Sequence, residues 1–296
     1  MQILVAGGTG FIGSSLCPEL VDRGHDVTAL SRSPGELPAD VEPAVGDVTE
    51  YDSVAPAVEG HDLVINLVAL SPLFEPRGGN RKHEEIHRGG TENLVRAAEA
   101  ADIDRFLQMS ALGADPDGTT HYIRAKGRAE QVVAESGLDW VIFRPSVVFG
   151  DGGEFVSFTK KLAPPYLTPL PGGGKTQFQP IHVDDLVPML AEAVETDAHV
   201  GSRYEIGGPE QLTLAEVARL AHRADGRPAT VVPVPMSLAG VGLSVAGAIP
   251  GFPMGRDQYK SLKFDNTTES NDITAFGLSN ADLATLPGYL GISAPP

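Results

Sequence analysis

Short apolar runs alternate with segments of helical periodicity over the first half of the chain. The runs that predict buried strands are Ile3 to Ala6, Val27 to Leu30, Leu63 to Val68, Phe106 to Met109 and Val141 to Phe143. The helices predicted between them lie near residues 11–23, 52–58, 85–101 and 122–136. Strands that alternate with helices in this way form a parallel sheet covered on both faces. The pattern therefore predicts an α/β fold with a doubly wound parallel sheet.

Pro18 lies inside the first of these helical segments. A proline in a helix interior has no N–H to donate and costs about 3 kcal/mol there. We therefore expect this helix to bend or to begin late.

The sequence pattern changes after Phe149, where clusters of glycine and proline replace the regular alternation of apolar runs and helical segments. Such clusters are typical of loops. We therefore place a sheet domain at residues 1–150, to which 180–207 return, and a smaller C-terminal lobe at 151–179 and 208–296. We expect this lobe to recognise the substrate.

Two helix starts are marked in the second half of the chain. A threonine followed three residues later by Glu216 is a capping-box pattern, which predicts a helix from Thr213 to Ala224. Asp184 and Asp185 suit the N-terminus of another helix, because carboxylates cap it and interact favourably with its dipole. His182 is interpreted as ordering the loop before that helix.

No charged residue occurs from Pro228 to Gly255. The part between Pro235 and Pro250 has 14 residues. Such a segment spans about 21 Å as a helix, against the roughly 30 Å of a bilayer core, so we expect no membrane span here. A helix that lines a substrate site, an apolar docking face and plain core are the alternatives.

A glycine-rich turn, Gly7-Gly8-Thr9-Gly10-Phe11-Ile12-Gly13, follows the first predicted strand directly. Glycines at these positions permit a tight turn, close approach of a pyrophosphate to backbone N–H groups, and close packing of the helix on the strand. The helix N-terminus then holds the anion. The motif predicts a Rossmann-type domain that binds a nicotinamide dinucleotide. The cofactor-binding residues predicted here are Gly7, Thr9, Gly10, Phe11, Ile12 and Gly13.

The end of the second strand bears on which dinucleotide is bound. About 20 residues after the glycines, NAD-binding domains place an acid for the adenosine ribose. This chain has Ser31-Arg32-Ser33 there instead. Arg32 can make a charge-assisted contact to a 2′-phosphate, with Ser31 and Ser33 as hydroxyl donors. We predict NADP(H) in preference to NAD(H); the alternative is that Arg32 is a surface arginine.

Further contacts to the dinucleotide are expected where other strands end. Asp47 and Val48 follow one apolar run, and Asn66 and Val68 lie at the end of the run that begins at Leu63. The carboxyl ends of parallel strands meet at one edge of a sheet, where adenine and ribose lie. Each of the four could also be a simple turn residue.

A serine, a tyrosine and a lysine form the candidate catalytic set. Ser110 follows a predicted strand, and Tyr122 and Lys126 are spaced i, i+4, on one face of a helix. A nearby ammonium and the positive nicotinamide ring would lower the pKa of the phenol from its ordinary value of about 10. Tyr122 could then exchange a proton with a substrate hydroxyl or carbonyl, while Ser110 holds the oxygen. A solvated helix face is the alternative.

These residues resemble the short-chain dehydrogenase/reductase superfamily, in its extended or atypical, epimerase/dehydratase-like branch. The segments that carry the resemblance are Gly7 to Gly13, Gly46-Asp47, Gly90 to Leu94, Ser110, Tyr122 with Lys126, Arg144 to Gly150 and Pro180 to Asp185. They span nearly the whole chain. The resemblance implies a Rossmann fold with a bound cofactor, and it places the backbone from Pro145 to Val148 beside the nicotinamide amide. Strand-end core is the competing interpretation of Val147 and Val148.

Within this superfamily, the segments Gly137 to Ser146 and Ile181 to Leu186 look most like the nucleotide-binding accessory subunit of respiratory complex I and its prokaryotic relatives. That resemblance implies tightly held NADPH without established turnover. Prokaryotic relatives often keep the tyrosine and the lysine, as this chain does, so the resemblance also leaves a reductase open.

Two departures from the superfamily pattern matter. His87 stands where an asparagine relays protons in the family, which puts a relay through Lys126 in doubt. The stretch from Arg144 to Gly150 differs from the Tyr-x-Asn-Val-Tyr-Gly-like segment that contacts a sugar nucleotide. A nucleotide-sugar epimerase or dehydratase is therefore the weaker alternative.

Composition narrows the range of partners. The formal net charge is −17, from 39 acidic and 22 basic residues, of which only seven are lysines. Such a charge repels phosphate backbones and anionic membrane surfaces, so we expect no nucleic-acid partner. An acidic, lysine-poor chain is typical of a halophilic source, or of a merely acidic bacterial protein.

Cysteine, histidine and lysine suggest no further chemistry. The single cysteine, Cys17, excludes an internal disulfide, and no signal-peptide pattern precedes the first strand. We expect a reduced, cytoplasmic protein, with a peripheral position at the inner face of the membrane as the alternative. The eight histidines are spread along the chain, and we predict no metal site. Lys175 lacks the full phosphate-loop pattern and is interpreted as a loop lysine.

Three functions fit these residues. The first is an NADP(H)-dependent oxidoreductase or epimerase that acts on a small apolar or lipidic carbonyl or alcohol. The second is an NADPH-holding subunit or redox sensor that docks on a membrane complex through the uncharged run at 228–255. The third is an NADP-sensing regulator without chemistry.

Overall fold

The computed structural model describes residues 1–236 and 256–292. Its strands are β1 (Gln2–Ala6), β2 (Asp26–Ser31), β3 (Val41–Val45), β4 (Leu63–Asn66), β5 (Arg105–Met109), β6 (Asp139–Pro145), β7 (Val148–Phe149), β8 (Tyr166–Pro171), β9 (Gln177–Phe178), β10 (Ile181–His182), β11 (Ser202–Ile206), β12 (Leu212–Thr213) and β13 (Ala229–Val234). Its α-helices are α1 (Gly13–Asp22), α2 (Tyr51–Val58), α3 (Arg81–His83), α4 (Gly90–Ala100), α5 (His121–Ala134), α6 (Phe155–Leu162), α7 (Val183–Glu195), α8 (Leu214–Ala224), α9 (Arg256–Ser261) and α10 (Leu286–Tyr289). A π-helical segment, Glu84–Gly89, joins α3 to α4.

The largest sheet has seven strands in the order β11-β6-β5-β4-β1-β2-β3. The pairings from β3 across to β6 are parallel, so that Ile3 of β1 lies beside Val27 on one side and Leu63 on the other. β4 is buried along its whole length, and β1 is buried after its first residue. Both faces of these central strands are therefore covered, as a parallel sheet requires. The predicted α/β, doubly wound parallel sheet is confirmed.

The five predicted strands are all present, but the two outermost strands of the sheet had not been predicted. β3 carries a glutamate and a proline, and four of its five residues are exposed or half-exposed. β11 contains Arg203 and Glu205. An edge strand has only one neighbour, and proline and charged residues are tolerated there. Neither strand therefore has the apolar run that marks a central strand.

The first helix begins at Gly13 and continues through Pro18 to Asp22. It starts two residues after the predicted position, and the proline is accommodated inside it rather than ending it. Because proline has no N–H, the carbonyl of Ser14 loses its intrahelical donor.

The segment predicted as one helix over 85–101 is divided. α3 begins at Arg81, the π-helical segment occupies Glu84–Gly89, and α4 ends at Ala100. A π-helical turn contains one residue more than an α-helical turn and is frequent at functional sites. It changes the direction in which the side chains before and after it point.

Contacts divide the chain into two units. The first consists of Met1–Leu70, Pro76–Pro145 and Val183–Tyr204, and the second of Ser71–Glu75, Ser146–His182 and Glu205–Pro296. The first contains strands β1 to β6 with α1 to α5 and α7. The role of the second unit in substrate recognition stays a prediction.

The second unit is built from short ladders and a few helices. β8 pairs with β13, β9 with β12, and β7 with β10. One core cluster joins Leu170 of β8 to Leu214 and Ala218 of α8. The capping box of α8 is present, with the Thr213 side chain accepting from the amide of Glu216 and the Glu216 carboxylate accepting from the amide of Thr213. The predicted helix start is thus confirmed.

The uncharged run is described only in part. Its first residues form β13, whereas 237–255 lie outside the described residues, and with them the predicted docking or substrate-lining segment. Among the helices of 1–236 and 256–292, none is both long and apolar enough to cross a membrane.

Candidate cofactor and catalytic site

The glycine-rich turn connects β1 to α1. Gly7 has a φ of +82°, in the left-handed region that favours glycine, and its amide donates to the carbonyl of Leu30 at 2.9 Å. A Cβ on Gly13 would lie 2.4 Å from the carbonyl oxygen of Gly7. The helix can therefore pack directly on the turn only because position 13 is a glycine.

The tip of this turn faces solvent. Thr9 and Gly10 are exposed, and Phe11 and Ile12 are half-buried. α1 has no side-chain cap and no acidic residue in its first turn. The amides of Ser14 and Ser15 donate to backbone carbonyls, whereas those of Phe11, Ile12 and Gly13 have no backbone acceptor in the described part of the chain and, with the positive end of the helix, are left for an anion. This is the cradle that a dinucleotide pyrophosphate requires.

Ser31 is the last residue of β2. Its Oγ is buried and has no hydrogen-bond partner in the described part of the chain. An unsatisfied buried hydroxyl costs about 1–3 kcal/mol, so an acceptor bound beside it would be stabilised. Arg32 follows and is exposed. The residues present therefore fit a phosphate-bearing adenosine ribose.

Asp47 lies two residues after β3 and accepts two hydrogen bonds from Thr49, from its amide at 3.0 Å and from its hydroxyl at 2.8 Å. Partial burial raises the pKa of Asp47, but the bonds from Thr49 and the charges of Arg32 and Lys82 outweigh it and bring the pKa below its ordinary value. Asp47 is therefore ionised at neutral pH, and its negative charge interacts with the positive charge of Arg32. Val48, by contrast, is buried in the core of the sheet domain.

Asn66 ends β4 and is buried, with its amide used inside the protein. Its Nδ2 donates to Thr91 and Gln108, both at 3.0 Å, and its Oδ1 accepts from the amide of Val68 at 3.1 Å. A Cβ on Gly7 would lie 3.1 Å from the amide nitrogen of Val68. The hydrogen bond from the Val68 amide to Asn66 thus holds the backbone at the point where it lies against Gly7. Direct contact of Asn66 or Val68 with the dinucleotide stays a prediction.

Ser110 is buried at the end of β5, and its Oγ donates a hydrogen bond to Glu130 of α5. Glu130 is only 2% exposed. Arg144 donates to both of its oxygens, at 2.9 and 2.6 Å, and Arg203 Nε lies 3.1 Å from Oε2. Sequence reasoning missed Glu130. Its i, i+4 spacing from Lys126, on the predicted catalytic face of the helix, was the available signal.

Tyr122 and Lys126 lie one turn apart on α5, as predicted. Lys126 is 1% exposed, and its Nζ donates to the carbonyl of Met109 at 2.8 Å. Burial lowers the pKa of Lys126 to about 8, although Glu130 acts in the opposite direction. Burial also raises the pKa of the Tyr122 phenol. The expected lowering of the phenol pKa is therefore wrong for the chain by itself, because burial dominates and the ammonium bonds to a backbone carbonyl.

Two buried histidines surround the tyrosine ring. His83 and His87 stack at 5.4 Å between ring centroids, and Tyr122 meets them edge-on at 5.6 and 5.3 Å. His87 Nε2 accepts from the amide of Leu70 at 3.4 Å, and its Nδ1 has no partner among the described residues. Burial and the charges of Lys126 and His83 hold the pKa of His87 well below its ordinary value, so the imidazole is neutral. Nδ1 therefore carries a proton that it could donate.

His83, Glu84 and His87 have the His-Glu-x-x-His spacing of zinc metalloproteases. The prediction of no metal, which rested on the spread of the histidines, overlooked this pattern. In the described part of the chain, no three His, Cys, Asp or Glu side chains lie together as a metal would require. The absence of a metal stays a prediction.

The two predicted nicotinamide neighbours belong to different units. Pro145 ends β6 in the first unit, and its carbonyl accepts from the amide of Leu112 at 3.0 Å. Val148 begins β7 in the second unit and pairs with Ile181. Their contact with the cofactor stays a prediction.

Within the first unit, the carboxyl ends of the strands gather the predicted residues into two groups. The glycine turn, Leu30 and Val68 meet where β1, β2 and β4 end, at the point where the strand order reverses. This is the position at which open α/β sheets bind ligands. The second group is Ser110 with the face of α5 that carries Tyr122 and Lys126.

A protein-family model described as NAD(P)H-binding matches residues 7–163 of this chain. A 3 beta-hydroxysteroid dehydrogenase/Delta 5-->4-isomerase of Mycobacterium tuberculosis is 30% identical over 258 residues, which cover 76% of this chain and 70% of that protein. The mitochondrial NADH dehydrogenase (ubiquinone) 1 alpha subcomplex subunit 9 of Arabidopsis thaliana is 30% identical over 233 residues, 74% of this chain. The chain spans just over half of that relative, 56% of its length.

Among solved structures, the crystal structure of gox2253 superimposes with a TM-score of 0.74. The superposition covers 97% of this chain and 95% of the gox2253 chain, and the two are 24% identical in sequence. At this level of identity the likeness concerns the fold.

Proposed function

Because this chain belongs to the NAD(P)H-binding, extended short-chain dehydrogenase/reductase family, we propose that it is an NADP(H)-dependent oxidoreductase for a small apolar or lipidic carbonyl or alcohol. The observation that carries the proposal is that Tyr122 and Lys126 lie one turn apart on α5, the helix to which Ser110 bonds through Glu130, in the unit that contains the glycine turn. A chain that only held a dinucleotide would need the turn but not this set.

The preference for NADP(H) is supported at the end of β2. The Ser31 hydroxyl is buried without an acceptor, and Arg32 is an exposed cation that forms no ion pair within the described residues. A 2′-phosphate would accept from both. The ribose of NAD(H) would leave Arg32 without a ligand, and no carboxylate follows the strand to accept from the 2′-hydroxyl.

The chain's own residues would handle the proton, while the nicotinamide, when bound, supplies the hydride chemistry. The Tyr122 phenol is protonated at neutral pH, since burial raises its pKa further above the ordinary value of about 10, and its Oη would donate a proton to a carbonyl oxygen in the direction of reduction. The Ser110 hydroxyl directs its own proton to Glu130, so its lone pairs would accept a hydrogen bond from the alcohol or from Tyr122. Lys126, one helical turn after Tyr122, supplies a positive charge.

Two observations support an apolar substrate. The relative in Mycobacterium tuberculosis bears the name of a hydroxysteroid dehydrogenase. The run from Pro228 to Gly255 has no charged residue that could pair with a phosphate or a carboxylate on the substrate. A small apolar or lipidic ketone or secondary alcohol suits both observations better than a sugar nucleotide.

The first test is the absorbance and fluorescence spectrum of the purified chain, followed by release of any bound nucleotide and a turnover panel of ketones and alcohols. Consumption of NADPH with one carbonyl, and a fall in kcat of about 100-fold in Tyr122→Phe, is the expected result. The matched control is Tyr51→Phe, which keeps a ring for Arg96 to cover. Unchanged turnover in Tyr122→Phe would overturn the mechanism.

A non-catalytic NADPH-holding subunit or redox sensor is the second candidate. It is favoured by the commitment of Ser110 to Glu130, by His87 in place of the family's asparagine, and by the relative in Arabidopsis thaliana. It would dock on a membrane complex through the uncharged run. Stoichiometric NADPH that survives purification and the whole panel would support it. Purification as a lone protein with exchangeable cofactor would count against it.

A further inference from the structure

The proposed reduction leaves a negative charge on the Tyr122 oxygen, and the fold disfavours that charge. Burial raises the pKa of the Tyr122 phenol. Lys126 lies one turn away on α5, but its Nζ donates to the carbonyl of Met109 at 2.8 Å, and burial lowers the pKa of its ammonium to about 8. A second hydrogen-bond donor beside the phenol would therefore make the loss of its proton easier.

His87 brings such a donor to the phenol. Its side chain is buried, and its ring centroid lies 5.3 Å from that of Tyr122, with the two planes at 87°. His87 Nε2 accepts from the amide of Leu70 at 3.4 Å, so the proton of the neutral ring is on Nδ1. This Nδ1 is buried and has no hydrogen-bond partner in the part of the chain that the structure describes. A buried N–H without an acceptor is costly, and an acceptor that arises beside it is stabilised.

The imidazole is held through its backbone and on one face of its ring. The carbonyl of His87 accepts from Thr91 Oγ1 at 2.6 Å, and Thr91 Oγ1 accepts from Asn66 at the end of β4. His83 stacks on the ring, with the two planes 12° apart. Burial, and then the charges of Lys126 and His83, hold the pKa of His87 well below its ordinary value. The ring therefore stays a neutral donor at neutral pH.

We propose that His87 Nδ1–H donates a hydrogen bond to Tyr122 Oη as the phenol gives its proton to the substrate, and thereby stabilises the phenolate. This inference rests on the proposed function, in which Tyr122 is the proton donor. A hydrogen bond to an ionised acceptor is about twice as strong as one to a neutral acceptor, so the bond favours the phenolate over the phenol. Bonds of this kind are often long before substrate binds and tighten only in the complex.

The proton itself passes from Tyr122 Oη to the substrate oxygen, and His87 keeps its own proton. A neutral imidazole releases its Nδ1 proton readily only when Nε2 gains one. The group at His87 Nε2 is the amide of Leu70, which is not an acid at neutral pH. His87 is therefore a hydrogen-bond donor to the reacting oxygen rather than a relay for protons, and it acts on the substrate only through Tyr122.

The ionisation of Tyr122 can be measured without a substrate. The full chain, isotope-labelled at tyrosine Cζ and saturated with NADP+, is titrated by NMR, and the Tyr122 signal is the one lost in Tyr122→Phe. The positive nicotinamide ring favours the phenolate and lowers the pH at which it forms. His87→Phe keeps a ring but has no N–H, and Tyr122 should then ionise about one to two pH units higher, the equivalent of one hydrogen bond to a charged group.

A rescue and a matched control separate the N–H from the packing of the ring. His87→Asn places an amide N–H near the position of Nδ1, and Tyr122 should ionise within about half a pH unit of the natural chain. His83→Phe changes the other ring that meets Tyr122, at 5.6 Å, and should also shift the ionisation by less than about half a pH unit. Lys126 and Glu130, the charged groups further along α5, stay unchanged in every variant. Urea denaturation checks that each variant folds, and His87→Leu replaces His87→Phe if the larger ring is not tolerated.

Turnover gives a second readout once the panel has yielded a carbonyl. His87→Phe should lower kcat by about 10- to 150-fold with little change in KM, since the bond forms only as the phenol ionises. In the Tyr122→Phe background the same substitution should change kcat by less than about twofold, because no phenolate forms.

Equal ionisation of Tyr122 in the natural chain and in His87→Phe overturns the inference. An equal shift in His83→Phe, or a shift that His87→Asn does not reverse, also overturns it, because the effect would then come from packing. A panel without turnover would remove the proposed function, whereas the titration by itself decides whether His87 donates to Tyr122.

Discussion

The chemical behaviour of single residues in this protein depends on whether the fold buries or exposes them. Ser31 and Arg32 are neighbours in sequence, yet one hydroxyl is buried without an acceptor and the guanidinium beside it is exposed. Lys126 is a cation held at 1% exposure by one backbone carbonyl. Both arrangements are costly without a ligand or a compensating charge, and each leads to a measurement.

Arg32→Ala should weaken the binding of NADPH and leave the binding of NADH nearly unchanged. Loss of a hydrogen bond to a charged group, about 1.5–3 kcal/mol, corresponds to roughly a 10- to 150-fold rise in the NADPH dissociation constant. The dissociation constant of NADH should change by less than about threefold, since NADH lacks the 2′-phosphate. Fluorescence titration of both nucleotides measures this, with Arg77→Ala as the control. Equal weakening of both nucleotides would mean that Arg32 does not select the phosphate.

Lys126→Met should remove a pH dependence of stability. The pKa of Lys126 is about 8 in the folded chain, below its ordinary value of 10.5, so between these values the unfolded chain binds more protons. The unfolding free energy of the natural chain should therefore rise with pH across this window, by at most about 1.4 kcal/mol per pH unit, relative to the variant. Below pH 8 the two curves should run parallel. Urea titrations from pH 7 to 10.5 measure the difference.

The control for that comparison is Lys161→Met, which removes an exposed lysine. Its curve should follow the natural chain at every pH. If Lys126→Met also followed the natural chain, the ammonium would not be buried in solution.

At the scale of elements, α5 organises the chemistry. Its residues at 122, 126 and 130 recur every four positions; Lys126 bonds to the end of β5, and Glu130 ties the helix to the ends of β5, β6 and β11. The π-helical segment before α4 adds a residue to one turn and brings His83 and His87 against Tyr122. The surroundings of the Tyr122 ring thus depend on α5 and on the segment from His83 to His87, which lies more than 30 residues earlier in the chain.

Glu130→Gln should lower the unfolding free energy by about 2–3 kcal/mol. Two guanidinium groups then lose their buried counterion, and loss of one partner from such a pair is costly. Urea denaturation measures it. The matched control is Glu135→Gln, at the exposed end of the same helix, where a change within about 0.5 kcal/mol is expected. An equally mild effect at position 130 would contradict a stabilising role for the buried contacts of Glu130 with Arg144 and Arg203.

At the scale of the whole molecule, the charge is large but unevenly distributed. The net charge of −17 predicts repulsion from anionic surfaces, whereas Arg219, Arg223 and Arg227, on α8 and just after it, line one surface together. Net charge therefore describes the long-range field and not the sign at any one surface. The halophilic source stays a prediction.

Salt should stabilise the protein. Screening weakens the self-repulsion of an acidic chain, so Tm should rise between 0.05 and 1 M KCl. We expect a shift of about 2–3 °C, which corresponds to roughly 1–2 kcal/mol in a chain of this size. Differential scanning fluorimetry of the nucleotide-free chain measures it. A Tm that stays constant or falls would show that the carboxylates are already neutralised by local pairs.

The central strands were predictable because burial on both faces leaves an apolar run, as in Leu63 to Asn66. β3 and β11 were not, because an edge strand tolerates polar residues and proline. The i, i+4 relation of Tyr122 and Lys126 was predictable from helical periodicity. The burial that sets their pKa values was not, since it depends on what packs over the helix.

The sequence by itself determined the α/β class, the glycine turn and the capping of α8, because these depend on neighbours within one turn or one strand. Only the tertiary structure decided that Ser110 donates to Glu130 and that Asn66 supports the glycine turn. The physical reason is range. Backbone conformation and periodicity are set by nearby residues, whereas desolvation, buried hydrogen bonds and local electrostatic fields depend on residues that folding brings together from distant parts of the chain.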